Sequence, residues 1–259
     1  MTTLTAPTAT PTVDVAGPSP ARLVGVELRK LADTRAGRWL LISIGLIAAV
    51  IVVVQLFVLD DAEKTFTAFF VPSLLPVGLL LPVLGILSIT GEWSQRTALT
   101  TFALVPRRAR VIAAKLAAVV LAALASVLVS LAVAAAGTLA ARATGGAGAW
   151  TLDWHLVPYA ALFQVVNGLM GAGFGLLLLN TPLAIVTYLL LPTVWSILSA
   201  MIKALHRPAQ WLDTSITLGP LLEAHVTAAQ WGRLAVSLLV WLAVPLVAGL
   251  VRTLRREVS

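Results

Sequence analysis

The run IAAKLAAVVLAALASVLVSLAVAAAGTLAA, Ile112–Ala141, decides the fold. Its one ionisable side chain, Lys115, lies near its start. A bilayer crossing needs about 20 predominantly apolar residues. This run is apolar on every face. It has neither the strict alternation of a barrel strand nor the polar stripe of a soluble surface helix. It reads as a helix buried in lipid and among other helices, its backbone polar groups satisfied internally.

Five further runs have the same character: Leu40–Leu59, Phe66–Ile89, Leu156–Leu179, Pro182–Met201 and Leu234–Val251. The chain is 59% hydrophobic and only 11% charged, whereas a soluble domain is about a quarter charged. The expectation is an all-α integral membrane protein of six transmembrane helices, forming one domain over residues 21–259. No soluble stretch is long enough for a catalytic domain, so no enzyme is expected in this chain. Cysteine is absent, which excludes disulfides, thiol catalysis and cysteine metal sites. His155, His206, His225, Asp213 and Glu223 lie outside the spans without ligand spacing, so no metal site is expected.

The Lys and Arg positions set the orientation. With the N-terminus inside, the cytoplasmic side holds Arg22, Arg29, Lys30, Arg35, Arg38, Arg96, Arg107, Arg108, Arg110, Lys115, Arg252, Arg255 and Arg256. The other side keeps Lys64, Arg142, Lys203, Arg207 and Arg233. The positive-inside rule therefore places both termini in the cytoplasm, with the plasma membrane as the expected location. The net charge of +7 points to anionic lipid headgroups. It does not point to nucleic acid, because no basic stripe is interleaved with aromatics.

Residues 1–20, rich in Thr, Pro and Ala, lack a face to bury and read as a disordered cytoplasmic tail without signal-peptide character. From Ala21, the apolar Val24, Leu28 and Leu31 recur at helical spacing opposite Arg22, Arg29 and Asp33. That pattern predicts a helix lying flat at the interface, with Trp39 marking where the chain turns into the membrane. The turn between spans four and five is only Asn180-Thr181-Pro182, with Thr181 as the expected N-cap. The outer segment Ile202–Arg233 is too apolar for plain coil. Two short re-entrant helices hinged at Gly219-Pro220 are expected there.

Polar residues within the spans (Gln55, Gln164, Asn167, Tyr188, Thr193, Ser196) are expected to bond between helices. Pro192 is expected to kink span five. The GxxxG of Gly171–Gly175 is expected to serve close packing within one chain rather than a dimer seam.

Four stretches carry a family resemblance. GEWSQRT with VPRRARVIAAK, from Gly91 to Lys115, resembles the loop between spans two and three of type-2 ATP-binding-cassette (ABC) exporter permeases. VELRKLADTRAGRW (Val26–Trp39) resembles their interfacial helix, LLLLNTPLAI (Leu176–Ile185) their turn between spans four and five, and WLAVPLVAGLVRTLRREV (Trp241–Val258) their last span and basic tail. The resemblance covers nearly everything after residue 20.

It implies a permease subunit that pairs with a second permease, as homodimer or heterodimer, and docks a separate ABC ATPase subunit. ATP and magnesium would sit on that partner, and no cofactor is expected in this chain. The absence of GxxxxGK[ST] from the sequence agrees with this division of labour. The resemblance implies a coupling helix between spans two and three, with Gly91, Glu92, Trp93, Arg96 and Thr97 at the ATPase. Glu27, Arg29 and Lys30 of the interfacial helix would flank it. Spans two and five would face the translocation path, which makes Tyr188, Thr193 and Trp195 candidate cargo contacts. The cargo class that a mainly apolar wall favours is amphipathic or hydrophobic.

Two alternatives stand beside this. An ion-coupled secondary transporter usually carries mid-membrane charge, which these spans lack. A non-transporting membrane scaffold remains open from sequence alone.

Overall fold

The computed structural model describes residues 18–94, 108–223 and 225–255. Six helices are long and apolar enough to cross a membrane, so the chain is a multi-pass membrane protein. The elements are α1 (Pro20–Asp33), α2 (Arg35–Val58), α3 (Phe66–Ser94), α4 (Arg108–Ala143), α5 (Leu156–Leu178), α6 (Thr181–Met201), α7 (His206–Leu212), α8 (Thr214–Leu218), α9 (Ala228–Leu238) and α10 (Val244–Arg255). Single 3-10 turns at Lys203–Leu205 and Gly219–Leu222 flank α7 and α8, and a π turn, Leu239–Ala243, joins α9 to α10. The predicted coupling helix, with Arg96 and Thr97, lies outside the described residues, as does most of the predicted tail.

The first corner is dictated locally. Ser19 caps α1 and Pro20 opens it, one residue inside the segment read as tail. A proline at the first helical position forgoes an N–H that would have no partner anyway. Thr34 ends α1 and caps α2, its hydroxyl accepting from the Gly37 N–H at 3.1 Å. A side chain on Gly37 would run into the Leu31 carbonyl, so this approach requires glycine. Glu27 and Leu31 face the bundle.

The centre of the bundle is α3 against α5. α3 holds Pro72, Pro76 and Pro82, and each proline deprives the carbonyl four residues earlier of its helical donor. The carbonyl freed by Pro72 is that of Ala68, and the Gln55 amide of α2 donates to it at 2.7 Å. The Gln164 amide of α5 donates to the Leu74 carbonyl at 2.9 Å. The span glutamines thus bond between helices, to backbone. The glycines of α5 let α3 come close. A Cβ on Gly85 would lie 2.5 Å from the Gly168 oxygen, and one on Gly171 would strike the Pro82 backbone. The GxxxG therefore packs within the chain. Gly173 turns the other way, toward Leu246 of α10.

Several boundaries differ from the sequence reading. Asn180, not Thr181, caps α6, its side chain accepting from the Leu183 N–H at 3.0 Å. Leu179 before it takes a left-handed conformation (φ 51), which costs a non-glycine residue about 1–2 kcal/mol. α6 remains one helix through Pro192.

The segment expected to lie outside folds into short helices, but its break falls at Asp213, where the backbone is extended between α7 and α8. Gly219-Pro220 continues α8 as a 3-10 turn instead of hinging it. These turns pack on the bundle through Leu218 and Leu221. The last helix starts six residues earlier than its apolar run, because Thr227 and Gln230 form a capping box. Its π turn lies just before Pro245, a residue that cannot donate to a helical ladder.

Candidate functional site

Four charged side chains from three helices meet at the end of the bundle that carries α1. Glu27 and Lys30 come from α1, Glu92 from the last turn of α3 and Lys115 from the second turn of α4. The Lys115 ammonium donates to Glu27 Oε2 at 2.7 Å, Glu92 Oε1 at 3.0 Å and the Ser88 carbonyl at 3.1 Å. Its three donors are all used. Lys30 donates to Glu27 Oε1 at 2.8 Å and to Glu92 Oε1 at 2.7 Å.

The side chains of Lys115 and Glu27 are 6% and 7% exposed, Glu92 is 13% exposed and Lys30 is 43% exposed. Two buried anions are thus balanced by two cations, one inner and one outer. Such pairs do little for net stability, but removing one partner strands the other charge away from water. Burial works against the charge on Lys30. The Glu27 and Glu92 carboxylates outweigh it and hold the ammonium above its ordinary value. Its contribution is therefore complete at neutral pH and disappears only as the pH rises through that elevated value.

A second layer surrounds the network. The hydroxyls of Thr90 in α3 and Thr181 in α6 are 2.7 Å apart. Arg252 of α10 donates to the Leu177 carbonyl at the C-terminus of α5. A small gap beside the network is lined by Glu92, Lys115, Leu176 and Thr253. The network and this layer together draw on α1, the ends of α3 and α5, and the start of α6. They also include the end of α10.

Of the residues singled out from sequence, Glu27, Lys30 and Glu92 are brought together. Gly91 and Trp93 continue the last turn of α3. Arg29 is exposed and is not among the network's ion pairs. On α6, Tyr188 is buried. Its hydroxyl donates to Asn167 Oδ1 at 3.2 Å, and its ring meets Phe174 edge-on at 5.8 Å. Thr193 bonds its own helix at the Leu189 carbonyl, 2.7 Å away. Tyr188 and Thr193 share a groove of about 280 Å³ with Asn167, Pro192, Thr214 and Leu218. Trp195 does not line it. Its indole nitrogen is buried with no hydrogen-bond partner among the described residues.

Sequence reading missed Lys115 as a site residue and counted it only toward topology. The available signal was a lone cation one turn inside an apolar run, a placement that is costly without a partner. No family model matches the chain, and no curated protein matches its sequence.

Proposed function

We propose that this chain is the membrane-spanning permease subunit of an ATP-driven exporter of the type-2 ABC kind. In this reading both termini lie in the cytoplasm, the membrane is the plasma membrane, and two permease subunits enclose the path. A separate ATPase subunit docks on residues 91–97, where Glu92 and Trp93 belong to the last turn of α3 and Arg96 and Thr97 come next in the sequence.

One observation carries the reading. The four stretches that resemble such permeases lie far apart in sequence, yet Glu27, Lys30, Glu92, Lys115, Leu176 and Thr253, drawn from all four, come together at one end of the bundle. A push on the segment after α3 would pass at once into α1 and α4 through buried ion pairs, and into α6 through Thr90 and Thr181. Packed ends joined this way move together instead of bending separately. Tyr188 and Thr193 then contribute hydroxyls to an otherwise apolar path.

The test is reconstitution with a candidate ABC ATPase subunit. Hydrolysis and export should both require the two chains. Trp93→Ala and Arg96→Ala should uncouple hydrolysis from export, because truncating a charged or aromatic docking contact often costs about 2 kcal/mol or more. Arg233→Ala, on the far side, should change nothing. Transport by the purified chain without an ATPase would overturn the proposal. Full coupling in both loop variants would overturn the docking assignment.

A further inference from the structure

A second groove, of about 340 Å³, lies between α1, α2, α3 and α4, away from the groove beside Tyr188. Leu31, Ile44, Gly45, Leu81 and Val129 wall it. Only two side chains on its lining are polar, Ser126 and Ser130. Ser126 donates to the Ala123 carbonyl of its own helix at 2.6 Å, and the buried Ser130 hydroxyl has no partner among the described residues. The lining offers little to a polar guest. Its size falls at the low end of small-molecule sites, which suits a single slender hydrocarbon chain. Leu41, Ala125 and Val129 are exposed at its rim, so it opens sideways, in the direction of the bilayer.

Two arginines stand one helical turn before lining residues of α1 and α2. Arg38 stands one turn before Leu41 and two before Gly45 on the same face of α2. Arg29 stands one turn before Ala32, which α1 contributes to the lining. Both arginines are exposed. Neither makes an ion pair among the described residues, whereas Lys30 and Lys115 are both ion-paired nearby. Guanidinium groups at the rim of an apolar slot complement a phosphate joined to an acyl chain.

We propose that this groove holds one acyl chain of an anionic glycerophospholipid, with its phosphate at the Arg29 and Arg38 end. The site is independent of the exporter reading. It would tie α1 to the transmembrane helices with a lipid where protein contacts leave a gap.

Gly45 makes the proposal testable. No atom lies within 4 Å of a Cβ built there, so a larger side chain enters the groove without displacing backbone. The full chain is purified in detergent, stripped of lipid, and titrated with dioleoyl-phosphatidylglycerol or dioleoyl-phosphatidylcholine. Thermal unfolding and native mass spectrometry are the readouts. Phosphatidylglycerol should raise the midpoint more than phosphatidylcholine and saturate at one tightly held molecule per chain. Gly45→Leu should keep or raise the lipid-free midpoint and lose the phosphatidylglycerol response. The double variant Arg29→Gln/Arg38→Gln should weaken phosphatidylglycerol by about tenfold or more and erase its advantage. Equal responses to both lipids, or an undiminished response in Gly45→Leu, would mean ordinary boundary lipid and overturn the site. An undiminished preference in the arginine variant would overturn the phosphate assignment.

Discussion

α3 and α5 resemble α2 and α6 in length and apolarity, yet they occupy opposite places in the molecule. Within the apolar windows of α3 and α5, 56% and 61% of residues are buried in the protein; for α2 and α6 the figure is 17% in each. The inner pair carries the close-packed Gly85, Gly168 and Gly171, the three prolines of α3 and the amides Gln164 and Asn167, whereas α6 has one interior proline, Pro192. The outer pair presents Ile42, Leu46, Val53, Phe57, Leu190, Val194 and Ile197 to the surroundings. Lipid is as apolar as leucine, so hydrophobicity does not sort helices into the centre of a bundle. Close backbone approach and polar satisfaction do.

The largest effect should come from closing the inner seam. Gly171→Leu places a side chain against the Pro82 backbone, which cannot yield. We expect a loss of more than about 3 kcal/mol, at or beyond the upper end of overpacking costs. Ala49→Leu, on the exposed face of α2, should stay within about 0.5 kcal/mol. Reversible unfolding in detergent–SDS mixtures would measure both. Equal tolerance of the two would break the distinction between inner and outer helices.

The charged network repeats the contrast on a smaller scale. Lys115→Ala removes the buried cation that Glu27 and Glu92 share and should cost about 3 kcal/mol. Lys30→Ala removes the exposed cation and should cost about 1 kcal/mol or less. Proteolysis within α1, or hydrogen exchange there, would report its release. Similar losses for both lysines would mean that burial does not set their importance.

The smallest difference is expected from the glutamines. Gln164→Leu, fully buried in α5, should cost about 1–2 kcal/mol through the abandoned Leu74 carbonyl. Gln55→Leu, half-buried in α2, should cost less, because its bond to the Ala68 carbonyl is only partly removed from the surroundings. The same unfolding assay ranks them, and a reversed order would show that α2 is held more firmly than its burial implies.

Legibility varied along the chain for physical reasons. All six spans were readable from uninterrupted apolar runs, and the helix α1 from its three- and four-residue spacing. Helix ends were read less well. The Thr227 cap lies outside the apolar run that marks its span, and Asn180 and Thr181 both bear capping groups, so only geometry chooses between them. The hinge placed at Gly219-Pro220 followed residue propensity. The observed break at Asp213 follows from its carboxylate accepting the Ser215 N–H at 2.9 Å. Glu27, Lys30 and Glu92 were singled out individually, but nothing in the sequence said that they touch.

What the sequence determined by itself is where the chain meets lipid, how many times it can cross, and where its cations concentrate. Those depend on local composition, because each residue's transfer out of water is nearly independent of distant neighbours. Only the tertiary structure decided which helices lie inside, which backbone carbonyls the glutamines satisfy, and which charge answers which. Lys115 and Glu27 are separated by 88 positions and meet at 2.7 Å. Their pairing depends on how glycine and proline let α3 and α5 approach, and on the corner at Thr34 that folds α1 back over the bundle.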